Sequence, residues 1–285
     1  MRAKAMVLRR SLGCLFVIAL GGTLSKPALA AENAPEPESH PFTVDVTSAT
    51  GVLRTDRRIA ASTLGIHVWT PLAGAWLRGG LGYAVALSGV PSRSAAREQN
   101  TYALSGNVSA FTRAEWSSDD LFAAGYLELW LPTAAFDPAG PASSAAEAAQ
   151  TTTLGEPWRF MPAALGGSIG MEAGFRRGPF IATIHQTLDA ATIVLGDSKQ
   201  TGLATTAAVI DFAIAPSSRI GLRIIQRYDL DSSVAPEARR RLQLGPCATA
   251  GNGKTVFEAT VLMGEAIART ATSAAVLRLS LRHTW

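Results

Sequence analysis

Hydrophobic and polar residues alternate with a period of two along most of the chain. Ile220, Leu222 and Ile224, for example, alternate with charged or small residues. A β-strand places successive side chains on opposite faces, so this alternation predicts strands with one apolar and one polar face. Ten clear strands are predicted, over residues 59–70, 75–88, 102–116, 120–132, 158–175, 179–194, 202–215, 218–231, 255–267 and 273–285.

The predicted strands are longer than the five or six residues that are usual in globular sheets. A tilted strand that crosses a bilayer needs about nine to eleven residues. Backbone groups in lipid must pair within the protein, so such strands are stable only if they close into a barrel. We therefore predict an all-β fold, namely an antiparallel transmembrane β-barrel with an apolar outer face and a polar inner face.

The connections between the strands constrain their number. Bacterial barrels have short turns on the periplasmic side and long loops outside, and with ten strands this rule leaves the C-terminus outside the cell. Two weaker alternating segments, 42–53 and 239–246, raise the number to twelve and return both termini to the periplasm. We predict twelve strands, with ten as the alternative. The long segment 133–157 is predicted to form an external loop or lid.

The first thirty residues have the features of a cleaved signal peptide. A basic stretch over 2–10 precedes an uncharged apolar run over 12–24, and Ala28-Leu29-Ala30 supplies small residues for cleavage. Residues 1–30 are therefore predicted to be a signal peptide and residues 31–41 a flexible N-terminal lead-in. Residues 42–285 are predicted to form the β-barrel.

The net charge of +4 comes from the predicted signal peptide rather than from the rest of the chain. The first thirty residues hold five basic residues and no acidic one, so the rest of the chain has 21 basic and 22 acidic residues. That balance gives no electrostatic footprint for a nucleic acid, and no nucleic-acid partner is expected. The remaining chain has one cysteine, Cys247, which excludes an internal disulfide framework.

The motifs do not favour an enzyme or a cofactor. Residues 248–255 (ATAGNGKT) loosely match a phosphate-binding loop, but an alternating strand follows where that motif requires a helix, so we interpret them as a turn between strands. The four histidines are scattered, without metal-ligand spacing. No Gly-x-Ser-x-Gly elbow is present. We therefore predict no catalytic site, no metal and no cofactor.

Strand parity predicts which charged side chains point into the barrel. Charges enclosed in a narrow tube favour paired, hydrogen-bonded networks, and arginine suits them through its planar fork. An inner face that is closed by ion pairs and one that forms an anion-preferring pore both fit this pattern. The predicted lumen-lining residues are Asp45, Arg78, Arg113, Glu115, Glu128, Glu172, Asp211, Arg219, Arg223, Arg227, Arg241, Glu258, Arg278 and Arg282.

The hairpin formed by 202–215 and 218–231 permits a prediction of register. Inward residues can lie only opposite inward ones, because a slip of one residue would turn Arg223 into lipid. The tightest register that obeys this rule sets Asp211 opposite Arg223. A carboxylate and a guanidinium in that arrangement are close enough to form an ion pair.

The last residues, 277–285 (LRLSLRHTW), alternate and end on Trp285. In this respect the chain resembles Gram-negative outer-membrane β-barrel proteins, although His283 departs from the hydrophobic residue usual two places from the end. The resemblance covers 42–285 at the level of pattern. It implies an outer-membrane location, contact with outer-membrane lipid, and recognition of Trp285 by the barrel-assembly machinery. Aromatic girdles are expected at Trp69, Trp76, Trp116, Trp130, Trp158 and Tyr228.

The sequence therefore favours an integral outer-membrane barrel that acts as a structural protein or as a narrow channel for small solutes. The chain is too short for a general porin of sixteen to eighteen strands. One alternative is a soluble periplasmic barrel that binds a small apolar ligand. Another is an outer-membrane enzyme with a dispersed site at the barrel rim.

Overall fold

The computed structural model describes ten segments of the chain. The predicted signal peptide and lead-in lie outside these segments. The described residues are 42–54, 58–73, 76–91, 99–134, 142–153, 157–193, 199–231, 239–252, 254–264 and 273–285.

Strands that pair antiparallel with their neighbours form one sheet, and the pairing of β1 with β13 closes it into a barrel. β4 and β5 both pair with β3 and form one interrupted strand, so the barrel has twelve strands. The predicted fold class and strand number are confirmed, including the two weaker strands, which are β1 and β11. The strands are β1 (Thr43–Arg54), β2 (Arg58–Ala73), β3 (Leu77–Pro91), β4 (Gln99–Ser105), β5 (Val108–Ser117), β6 (Leu121–Leu131), β7 (Ala164–Arg177), β8 (Phe180–Ile193), β9 (Lys199–Ala215), β10 (Ser218–Asp229), β11 (Arg240–Gly251), β12 (Thr255–Gly264) and β13 (Ser273–Thr284).

The connections differ between the two ends of the barrel. We call one end the short-turn end. Two residues join β7 to β8 there, and two residues join β9 to β10. The turn predicted over residues 248–255 lies at this end but is shorter than predicted, since β11 continues to Gly251 and β12 starts at Thr255. At the opposite end, here the long-connection end, the chain from β6 to β7 runs from 132 to 163.

The two faces of the barrel differ in character. Along β10, Ile220, Leu222 and Ile224 are exposed, and along β3, Leu81 and Leu87 are exposed. The residues between them on the same strands are more buried. Since neighbouring strands keep this parity, the outer face of the barrel is a continuous apolar surface.

A break at Gly106 and Asn107, between β4 and β5, reverses the parity of one strand. Val85 of β3 faces Ser105, whereas Gly82 faces Ser109, so the broken strand contains one extra residue over this interval. Because of this extra residue, the side chains of β4, before the break, point to the opposite face from the one that the alternation in β5 would give them. A regular alternation over the predicted strand 102–116 would place Leu104 on the same face as Trp116, but Leu104 lies buried on the inner side.

Two described parts of the connection between β6 and β7, residues 142–153 and 157–163, pack against the inner side of the barrel. Helix α1 (Ala142–Thr152) contacts β1, β2, β3, β4 and β13, and a short 3₁₀ helix follows at Pro157–Phe160. The alanines of α1 pack on Ala84, Ala86, Leu104 and Phe160. The prediction of an external loop or lid is therefore wrong for residues 142–153. We call the described residues 142–153 and 157–163 the inner segment.

Candidate functional site

The candidate site is the inner face of the barrel together with the inner segment. All of the charged residues predicted to point inward lie on the strand face opposite to the exposed apolar side chains. Asp189 of β8, which the sequence analysis missed, also lies on this face and accepts a hydrogen bond from Ser168 at 2.5 Å. Most of the charged groups fall into three clusters of contacts.

The first cluster joins β3, β5 and β7. Arg113 Nε donates to Glu115 Oε1 at 2.7 Å, and Arg113 Nη2 lies 3.4 Å from Glu172 Oε2. Arg78 Nη2 lies 3.7 Å from the other oxygen of Glu115. Two arginines and two glutamates thus neutralise one another on this part of the inner wall. The partly buried position of these side chains makes the pairs stronger than exposed ion pairs.

The second cluster surrounds Asp45 of β1. Arg282 Nη2 donates to Asp45 Oδ2 at 3.1 Å, and Ser280 donates to Asp45 Oδ1 at 3.0 Å. The guanidinium of Arg282 also lies 5.1 Å from the centre of the Trp69 ring, and that of Arg78 lies 5.6 Å from it. The two cation–π contacts link this cluster to the first through a single tryptophan.

The third cluster joins β10 to β12. Arg223 Nη2 lies 2.7 Å from Glu258 Oε1, which also accepts a hydrogen bond from Thr260 at 3.1 Å. Arg223 faces Gly245 on the intervening strand. Glu258, rather than Asp211, is therefore the ion-pair partner of Arg223.

The predicted pairing of Asp211 with Arg223 is wrong because the hairpin is irregular at its turn. Ser218 faces Ala215 but Arg219 faces Ala213, so the register shifts by one residue on β9 between these two positions. Inward residues still face inward ones, but Asp211 lies opposite Gly221. A Cβ atom at residue 221 would overlap Asp211 Oδ1, and the carboxylate accepts a hydrogen bond from Cys247 Sγ at 3.5 Å.

Asn107 holds the inner segment in place. Its side-chain amide donates to the carbonyls of Trp158 and Met161, and its side-chain oxygen accepts from the N–H of Ala134, at 2.8 Å in each case. Its own backbone N–H donates to the carbonyl of Arg159 at 2.6 Å. The strand break at residues 106 and 107 thus forms the docking point of the inner segment.

Packing and further hydrogen bonds complete the attachment. The ring of Trp158 lies 5.8 Å from that of Trp130 of β6, and Ser88 of β3 donates to the carbonyl of Ala145 at 3.0 Å. Arg159 donates from Nη2 to Nε2 of His67 on β2. Because a guanidinium has only donors, His67 accepts in this contact.

The expected aromatic girdles are present only in part. Trp76, Trp116 and Tyr228 are exposed, as side chains in contact with a membrane interface would be. The expectation is wrong for Trp69, Trp130 and Trp158, which are buried. Trp69 and Trp130 occupy inner positions on their strands, and Trp158 belongs to the inner segment, which the sequence analysis assigned to β7.

The sequence analysis missed the residues that attach the inner segment to the barrel wall, because it did not predict that segment. Asn107, Trp158, Arg159 and Phe160 carry no motif, and residues 158–163 were predicted as the start of a strand. The one available signal was the failure of the alternation at Gly106 and Asn107. A glycine followed by an asparagine within a strand pattern is typical of a bulge or turn.

No protein-family model matches the chain, and no curated protein matches its sequence. Solved structures do match its fold. An outer membrane channel from Pseudomonas putida F1 is 8% identical, with a TM-score of 0.56, over 88% of this chain and 100% of that one. The NanC porin is 6% identical, with a TM-score of 0.52, over 85% of this chain and 100% of that one.

The fold is that of an outer-membrane β-barrel. The resemblance stated from the sequence is thus confirmed at the level of fold, and identities this low carry nothing finer. Within the described segments, neither helix has the length and hydrophobicity that a bilayer-spanning helix requires. The same segments contain no group of three or more histidine, cysteine, aspartate or glutamate side chains arranged to hold a metal ion.

Proposed function

We propose that the protein is an integral outer-membrane β-barrel that acts as a narrow channel for small solutes. The observation that carries the proposal is the contrast between the two faces of one closed barrel. The outer face is apolar and exposed, whereas the inner face carries polar and ion-paired side chains. A barrel of this kind is stable in lipid and encloses a polar interior.

The inner segment sets the width of the proposed channel. It covers the inner wall formed by β13, β1, β2, β3 and β4, which it contacts through α1. A solute would therefore pass between this segment and the opposite wall, formed by β6 to β12. Ser143, Glu147 and Gln150 lie on the less buried side of α1 and would border that passage.

The distribution of charge supports a preference for anions. We propose that the inward charged side chains named above line the passage. Among the described residues, the inner face of β10 to β13 carries six arginines and two acidic residues. These residues are Arg219, Arg223, Arg227, Asp229, Arg241, Glu258, Arg278 and Arg282.

A closed barrel with a purely structural role is the second candidate. The close packing of α1 against Ala84, Ala86 and Leu104 favours it, because a well-packed segment resists displacement. In both candidates the barrel lies in the outer membrane, meets the assembly machinery during biogenesis, and performs no catalysis.

Two experiments test the proposal. A transmembrane barrel should require detergent and should migrate differently in a gel before and after boiling. In planar bilayers the channel should give small unitary conductance, with a reversal potential shifted towards that of the anion in a salt gradient. Recovery as a soluble monomer without detergent would exclude the membrane assignment. Folded protein that inserts without conductance would support the structural role instead.

A further inference from the structure

An apolar groove crosses the outer face of the barrel near the short-turn end. Its volume is about 630 Å³, which lies within the range of sites that hold a drug-sized ligand. The residues that line it come from five neighbouring strands, β8 to β12. Strands in a sheet lie about 4.8 Å apart, so the groove extends about 19 Å across them.

The groove follows from the sizes of the outward side chains. Phe180 of β8 faces Phe212 of β9, their ring centres lie 5.1 Å apart, and both rings are exposed. Pro246 and Ala248 of β11 also line the groove and are exposed on the same outer face. Ala248 faces Ala259 of β12, so two small side chains lie side by side there. The bulky rings on one side and the small residues on the other form the concave surface.

A basic residue lies on the outer face beside the groove. Arg177 is the last residue of β7 and continues the outward, exposed series of Met171 and Phe175. It lies directly opposite Phe180, which lines the groove. Among the described strand residues at the short-turn end, no other charged residue has outward parity. The groove therefore has an apolar lining and a cationic group at its rim.

We propose that the groove binds one glycerophospholipid, with an acyl chain in the groove and the phosphate at Arg177. This proposal rests on the proposed outer-membrane location but is independent of whether solutes cross the barrel. An apolar concave surface that faces lipid is filled by hydrocarbon, because an empty one loses van der Waals contacts. The acyl chains of one leaflet span half of a hydrocarbon core of roughly 30 Å, which is comparable with the length of the groove. Short turns lie on the periplasmic side of bacterial barrels, so the bound lipid belongs to the inner leaflet.

Charge complementarity favours a phospholipid over an uncharged apolar ligand. A guanidinium binds a phosphate through two parallel hydrogen bonds, and the long side chain of Arg177 extends from the apolar face towards the polar interface. A second copy of the chain fits less well, because across a twofold axis the groove would meet itself and leave both concave surfaces unfilled. The competing explanation is that water hydrates Arg177 and that lipids exchange over the groove without preference.

Native mass spectrometry of the detergent-purified protein separates the two explanations. The probes are dioleoylphosphatidylglycerol and dioleoylglycerol, which share their acyl chains and differ in the phosphate headgroup. One phosphatidylglycerol molecule should remain bound, with a preference over dioleoylglycerol of about fivefold, as expected for one basic residue at an anionic membrane surface. Equal retention of the two lipids, retention of neither, or a dimer without bound lipid would overturn the proposal. Recovery of the protein without detergent would instead contradict the membrane location itself.

Two substitutions locate the bound lipid. Ala248→Phe fills the groove and should abolish the retention of both lipids, whereas Arg177→Gln should abolish only the preference for phosphatidylglycerol. The matched controls are Ala173→Phe, at an exposed outward residue of β7 outside the groove, and Arg240→Gln, at an exposed residue of β11 near the long-connection end. Both controls should bind lipid as the unmodified protein does, and heat-modifiable migration shows that each variant is folded. Unchanged lipid binding in either folded Ala248→Phe or folded Arg177→Gln would overturn the proposal.

Discussion

The side-chain amide of Asn107 donates to the carbonyl of Trp158 at 2.8 Å, and this contact joins the broken strand to the inner segment. Asn107 is 1% exposed and satisfies three further polar groups of the connection between β6 and β7. A single buried residue thus anchors residues 157–163 of the inner segment to the strand break.

Asn107→Ala should release the inner segment. The substitution leaves the carbonyls of Trp158 and Met161 without their donor, at about 1–3 kcal/mol for each buried group. We expect the free energy of unfolding in detergent to fall by about 2–4 kcal/mol. If the barrel conducts, the unitary conductance should increase. Asn100→Ala, at an exposed residue of β4, is the matched control. Equal effects of the two substitutions would contradict the anchoring role.

Glu258→Gln should destabilise the barrel more than Asp211→Asn. Loss of the Glu258 charge leaves the partly buried guanidinium of Arg223 without its carboxylate, whereas the contact that Asp211 makes among the described residues is with the thiol of Cys247. Because both partners of the ion pair retain some exposure, the expected loss is about 1–3 kcal/mol. Urea unfolding of the two variants measures the difference. A larger loss for Asp211→Asn would show that the register of the hairpin is the one first predicted.

Leu104→Ala tests the reversed parity of β4. Leu104 is 5% exposed and packs on α1, so its truncation should leave a cavity and cost about 2–4 kcal/mol. Leu129→Ala, on the outer face of β6 at 55% exposure, should have a smaller effect on the same unfolding curve. The opposite order would place Leu104 on the lipid side.

Trp285→Ala should lower the amount of folded protein in the outer membrane. The ring of Trp285 stacks on that of Phe42 at 4.4 Å, beside the seam between β1 and β13. The backbone N–H of Trp285 donates to the carbonyl of Phe42 at 3.2 Å. Heat-modifiable protein in membrane fractions measures the folded amount. Trp76→Ala, an exposed tryptophan away from the seam, is the control, and unchanged levels in Trp285→Ala would contradict the prediction.

The errors of the sequence analysis share one physical origin. Asp211 was assigned the correct face, because face follows from position along one strand. Its partner was wrong, because the register across β9 and β10 depends on a local irregularity at Ser218. Leu104 lies on the face opposite to the one that a regular alternation over 102–116 predicts, because one extra residue at the break reverses the pattern.

The sequence by itself determined the strands, their number and the apolar outer face. These features depend on a period of two that each strand carries locally, and on the requirement that backbone groups in lipid pair within the barrel. Only the tertiary structure decided which charges meet and where the connection between β6 and β7 lies. Segment 142–153 is rich in alanine, serine and threonine, a composition that fits solvent and a close-packed wall equally well. Its place inside the barrel is set by complementary small residues on β3 and by the hydrogen bond from Ser88 to the carbonyl of Ala145, which are distant from it in the chain.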